Sequence, residues 1–92
     1  MKRSGKFSEP ASHITIRVSG RLFRDHLSYL DQLIDSAVEC RLWPLLSLAQ
    51  LEELDREAVV YLINGENRRF EIVSCPDFVR DQMEDERHRA AA

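Results

Sequence analysis

The stretch His13-Ile14-Thr15-Ile16-Arg17-Val18-Ser19-Gly20 opens the folded part of this chain and decides its class. Isoleucine and valine alternate here with threonine, arginine and serine, which is the pattern of a β-strand with one buried and one wetter face. Gly20 is expected to end the strand. A helical period follows at once, so the sequence predicts a strand that leads directly into a helix.

Three helices are predicted after this first strand. Between residues 22 and 40, apolar side chains recur every three or four positions and form one stripe on a helix. The second helix is predicted at residues 54–65, with Asp55 as its N-cap and Gly65 as a left-handed C-cap. Pro76 opens the third helix. Its inner side is predicted to carry Phe78, Val79 and Met83.

Two further strands are predicted between the helices. Residues 42–48 form an apolar run of strand length, but Pro44 cannot donate a ladder hydrogen bond, so the usable strand is expected at residues 45–48. Residues 70–73 predict another strand. The alternating order predicts an α/β fold, with a small mixed or mostly parallel sheet and three helices packed mainly on one face.

Length and charge limit the organisation and the partners. A chain of 92 residues supports one hydrophobic core, predicted at residues 13–83. Residues 1–12 predict a flexible arm, or at most a short edge strand, and residues 84–92 a charged helix extension or tail.

The net charge of −3 provides no positive field for nucleic acid. Because no run of about 18 apolar residues occurs, we expect a cytoplasmic protein that does not insert into a membrane.

No catalytic or cofactor-binding arrangement is recognisable in the sequence. Cys40 and Cys75 are too far apart for a Cys-x-x-Cys pair and are expected to be reduced thiols. His13, His26 and His88 are scattered, which does not favour a metal site. A nucleophile with its base and a glycine-rich phosphate loop are both missing. We therefore expect a protein that is not an enzyme and needs no cofactor or metal.

The second helix gives the strongest indication of a binding surface. Its residues 58–63 are apolar on every side, whereas a helix on one side of a sheet buries only about half of its circumference. One or more of Val60, Tyr61 and Ile63 should therefore stay at the surface, beside the charged residues that start the helix. A protein partner or a second copy of the chain, forming a homodimer, fits this patch.

Three segments in this order resemble the STAS domain, named for sulfate transporters and anti-sigma-factor antagonists. They are residues 14–22, 46–55 and 70–79, and the resemblance covers roughly residues 13–83. In signalling members of that family, a capping aspartate is followed by a serine that a partner kinase phosphorylates. Here Asp55 is followed by Arg56. The resemblance therefore implies a degenerate member without the serine phosphorylation switch.

The resemblance also implies a function, that of a regulatory adaptor that binds another protein through the start and outer face of the second helix. The contact residues expected there are Glu53, Asp55, Arg56, Glu57, Val60, Tyr61 and Asn64. The implied partner is a kinase-like anti-sigma factor. The alternative is an accessory subunit of a membrane lipid transporter, bound to the transporter's ATPase subunit. Arg56 itself is interpreted either as a degenerate surface residue or as a fixed positive contact for the partner.

Overall fold

The computed structural model describes residues 12–91, with side chains up to residue 89. In chain order the elements are β1 (Ser12–Arg17), β2 (Gly20–Leu22), α1 (Arg24–Glu39), β3 (Leu42–Ser47), β4 (Leu51–Leu54), α2 (Arg56–Gly65), β5 (Glu71–Ser74) and α3 (Asp77–Ala91). The arm predicted at residues 1–12 lies outside the described residues, except for Ser12, which is the first residue of β1.

Three strands form one parallel sheet in the order β1-β3-β5. The order of the strands in the sheet follows their order in the chain. Right-handed connections between successive strands therefore place α1 and α2 on the same face of the sheet. Helix α3 packs against α2 in that layer. Leu46 and Leu48 are fully buried under the helices, whereas Leu45, on the opposite face of β3, is half-buried. The predicted α/β fold is confirmed, with parallel strands and three helices.

A second, two-stranded sheet pairs β2 with β4 in parallel. The prediction that Gly20 ends the first strand was wrong in its position, because β1 already ends at Arg17 and Gly20, with a φ of 73°, is the first residue of β2. Strands of three and four residues are too short to show an alternating pattern, so the sequence did not predict this sheet. Leu22 lies beside Leu54 in the register. The chain therefore enters α1 and α2 from adjacent points.

Pro44 lies inside β3 and is buried, although the sequence predicted that the strand starts after it. Leu48 donates its N–H to Ser74 of β5, and N–H groups alternate in direction along a strand. The nitrogen of Pro44 therefore faces the side of β5. Pairing with β5 begins only at Leu45, opposite Glu71. The missing N–H of Pro44 therefore interrupts no hydrogen bond between β3 and β5.

Gly65 is a packing position and not the left-handed cap that the sequence predicted. It is the last residue of α2, it is buried, and the helix is capped by Glu66 instead. A Cβ atom on Gly65 would lie 2.6 Å from Cζ of the Phe70 ring. The positive φ in this turn belongs to Asn67, at 66°. Glycine is needed here because the ring of Phe70 fills the space of a side chain.

The core lies between the parallel sheet and the three helices. Ile34 and Leu62 are fully buried, as are Val79 and Met83 on the predicted inner side of α3. Phe78 is only partly buried at the border of this cluster. The core cluster consists of Leu22, Leu30, Ile34, Leu46, Leu48, Leu51, Leu54, Ala58, Val59, Leu62, Phe70, Val79 and Met83.

Candidate functional site

Asp55 accepts hydrogen bonds from the first turns of two helices. Its Oδ1 accepts from the N–H of Ala58 in α2, and its Oδ2 accepts from the N–H of Arg24 in α1, both at 2.9 Å. Phe23 precedes α1 and has no side-chain oxygen to cap it, so Asp55 supplies that acceptor from a distant part of the sequence. The pairing of β2 with β4 makes this possible, because it brings the two helix starts together.

The pKa of the Asp55 carboxyl is lowered by this double role. Partial desolvation raises the pKa, but the hydrogen bonds from the N–H groups of Arg24 and Ala58 outweigh desolvation and hold it below the ordinary value of an aspartate. Both helix dipoles also favour a negative charge at this position. Asp55 is therefore a structural residue under the start of α2, and its oxygens are already engaged.

Arg56 connects the start of α2 to α3. Its Nε and Nη2 lie 3.2 Å from Oε1 and Oε2 of Glu86, respectively. The Glu86 side chain is only 11% exposed and also lies 3.4 Å from Arg89. The hydrogen bond to Glu86 raises the pKa of Arg56 above its ordinary value. Glu86 carries one negative charge between two guanidinium groups, so it compensates the charge of Arg56 only in part, and the Arg56 side chain remains 66% exposed.

Tyr61 joins α2 to α1 and to the turn before β5. Its hydroxyl donates to Oδ1 of Asp31 at 2.8 Å, and its ring stacks on Phe70 with centroids 6.0 Å apart. Arg69 makes ion pairs with Asp31 and Asp35 in the same cluster. Burial and the hydrogen bond to Asp31 raise the pKa of Tyr61 above the ordinary value of a tyrosine. The hydroxyl therefore stays protonated and acts as a donor.

A groove of about 450 Å³ runs between α1 and α2, and we call it the α1–α2 groove. Val60 and Tyr61 are half-buried in it, whereas Arg56, Glu57 and Asn64 are exposed. The groove thus combines an apolar floor with a polar rim of mixed charge, a combination that is typical of interaction surfaces. Its lining residues are Leu27, Arg56, Glu57, Val60, Tyr61 and Asn64.

The structure brings five of the seven predicted contact residues together in this groove. The other two lie elsewhere. Asp55 lies under the start of α2, and Glu53 lies on β4, where its Oε1 is 3.4 Å from Nε of Arg21. Ile63, the third residue expected at the surface, is half-buried against the core and does not line the groove.

Leu27 lines the groove although it is not among the predicted contact residues. Leu27 belongs to the apolar stripe between residues 22 and 40 that predicts the buried side of α1, but it is half-buried and contributes the α1 wall of the groove. One signal was available, since Asp31 lies one turn later on the same face of the helix. A polar residue at that spacing indicates that Leu27 is at the border of the stripe and not at its centre.

The described part of the chain contains neither a candidate metal cluster nor a helix that could span a membrane. Within residues 12–89, no three His, Cys, Asp or Glu side chains are grouped in a way that could hold a metal ion. None of the helices between residues 12 and 91 is long and apolar enough to cross a membrane. Comparisons of the chain with known protein families, curated proteins and solved structures found no match.

Proposed function

We propose that this chain is a non-catalytic interaction module, a STAS-like adaptor of the cytoplasm, that binds a segment of another protein in the α1–α2 groove. The observation that carries the proposal is the combination of an apolar floor, formed by Leu27, Val60 and Tyr61, with a rim formed by Arg56, Glu57 and Asn64. A concave apolar surface of this kind takes an inserted apolar side chain, which then contributes most of the binding energy.

The environment of Arg56 supports an adaptor that lacks a phosphorylation switch. By the resemblance, Arg56 stands where that family carries its serine, and its guanidinium is hydrogen-bonded to Glu86. The charge of this residue at the start of α2 is therefore fixed, because an arginine cannot gain a phosphate as the serine does. In this proposal, Val60 and Leu27 provide affinity, while Glu57 and Asn64 at the rim orient the partner.

The experiment compares two lysine substitutions on helix surfaces. Val60→Lys places a charge in the floor of the groove, where a bound partner would have to bury it. Val38→Lys is the matched control, because Val38 is 51% exposed on α1 and does not line the groove. The two variants and the wild-type chain are used to capture proteins from the native host, and their folding is compared by circular dichroism.

We expect Val60→Lys to lose a protein that both the wild type and Val38→Lys retain. If all captured proteins are unaffected by Val60→Lys, the proposal is wrong. The identity of the lost protein distinguishes a signalling adaptor from an accessory subunit of a transporter. A kinase-like anti-sigma factor supports the signalling adaptor, and a transporter ATPase subunit supports the accessory role in a membrane lipid transporter.

A further inference from the structure

Strand β1 has one paired edge and one open edge within residues 12–91. It pairs with β3 and with no other described strand. Val18 donates its N–H to Ser47 of β3, and backbone groups alternate in direction along a strand. The N–H and C=O groups of His13, Thr15 and Arg17 therefore face away from β3. An edge of this kind, rich in β-branched residues and without proline, is a template for pairing with another strand.

An apolar surface lies beside this open edge, on the face of the sheet that carries the helices. Ile14 is 39% exposed on β1, and Tyr29 is 66% exposed on α1. Between β1 and α1 runs a groove of about 330 Å³, whose apolar part includes Ile16, Val18 and Leu33, and Arg17, Ser19, Arg21 and His26 also line the groove. Helix α1 packs on the central strand β3 and leaves β1 partly uncovered. A strand added at the open edge would cover this apolar surface.

The sequence of β1 is self-complementary about Thr15. In His13-Ile14-Thr15-Ile16-Arg17, an isoleucine stands on each side of the threonine, and a polar residue stands at each end. We propose that a second copy of this chain occupies the open edge, with the two β1 strands antiparallel about a two-fold axis at Thr15. Each Thr15 then lies opposite the second copy's Thr15, and each Ile14 lies opposite the second copy's Ile16.

This arrangement pairs the free backbone groups of β1 and also covers the apolar surface beside them. The residues that face the open edge form the hydrogen-bonded pairs, Thr15 with Thr15 and His13 with Arg17. The two parallel sheets become one continuous sheet of six strands, and the contact is isologous, as in most dimers. The exposed Ile14 of each copy is then covered by Ile16 of the other. This surface is separate from the α1–α2 groove, so the dimer leaves that groove accessible.

Thiol cross-linking in the full chain tests the register. In a background without Cys40 and Cys75, Thr15→Cys should form a disulfide-linked dimer, since opposed Cα atoms in a hydrogen-bonded pair are about 5.5 Å apart. His13→Cys and Arg17→Cys alone should not cross-link, because each lies about 14 Å from its own counterpart, four residues along the strand at about 3.4 Å each. A mixture of His13→Cys and Arg17→Cys should cross-link, because these positions face each other.

Sedimentation analysis of variants without cysteine substitutions is the second arm. Thr15→Pro removes the N–H that faces the open edge and leaves the bonds to β3, so it should raise the dimer dissociation constant at least tenfold. Thr15→Val keeps the N–H and is the control. A wild-type chain that remains monomeric up to millimolar concentration overturns the proposal. So does equal cross-linking at residues 13, 15 and 17, or an N–H of Thr15 that is protected from exchange in the monomer.

Discussion

Replacing Asp55 tests the observation that one carboxylate caps two helices. Asp55→Ala removes the acceptor of two N–H groups, those of Arg24 and Ala58, each bonded at 2.9 Å. A lost N-cap costs about 1 kcal/mol, so we expect the free energy of unfolding to fall by about 2 kcal/mol. For a domain of this size, this corresponds to a fall in Tm of roughly 10 °C.

Two further variants divide this loss between the helices. Asp55→Ser keeps a short acceptor for Ala58 but cannot also reach Arg24, so it should lose about half as much, roughly 1 kcal/mol. Glu52→Ala removes a neighbouring exposed carboxylate and should change the free energy of unfolding by less than about 0.5 kcal/mol. The free energy of unfolding of each variant is to be measured by urea denaturation followed by circular dichroism. If Asp55→Ala unfolds within about 0.5 kcal/mol of the wild type, the double cap does not stabilise the fold as described.

Three other outcomes follow from individual contacts. Because the folded-state pKa of Asp55 lies below its unfolded value, its stabilisation is present above the unfolded pKa and is lost as the pH falls through the folded pKa. The stability difference between the wild type and Asp55→Asn, measured by urea denaturation, should therefore shrink from pH 7 to pH 3. Gly65→Ala should destabilise the fold by about 1–3 kcal/mol, because its methyl group meets the ring of Phe70; a neutral result would contradict this packing. Tyr61→Phe keeps the ring but loses the hydrogen bond to Asp31, and should cost about 1 kcal/mol in thermal melts; an unchanged Tm would show that the bond contributes nothing.

The long elements of the fold could be predicted because their patterns are local. The alternation around Ile14 and the helical stripe through Leu30 and Ile34 are visible in the sequence, and the structure places these residues in β1 and α1. The pairing of β2 with β4 could not be predicted, because strands this short have no period. That pairing brings Asp55 to Arg24, a contact across 31 positions of sequence.

Most residues of the candidate site were predictable from the sequence, but the ion-pair partner of Arg56 was not. An all-apolar stretch in α2 indicated that one or more of Val60, Tyr61 and Ile63 would remain near the surface, and the first two line the groove. The partner of Arg56 could not be inferred, because Glu86 comes from a helix 30 residues further along the chain. For the same reason, the sequence left the role of Arg56 open; the structure pairs its guanidinium with Glu86 and leaves the Arg56 side chain 66% exposed.

The most direct test of the proposed function is the affinity of the captured partner for variants of the α1–α2 groove. After purification of that partner, its Kd is measured by titration calorimetry against the wild type, Val60→Lys and Val38→Lys. Because a buried lysine charge costs more than about 1.4 kcal/mol, Val60→Lys should raise the Kd by more than tenfold. Val38→Lys should leave the Kd unchanged. Equal Kd values for all three chains would contradict the account, because the partner would then bind outside the groove.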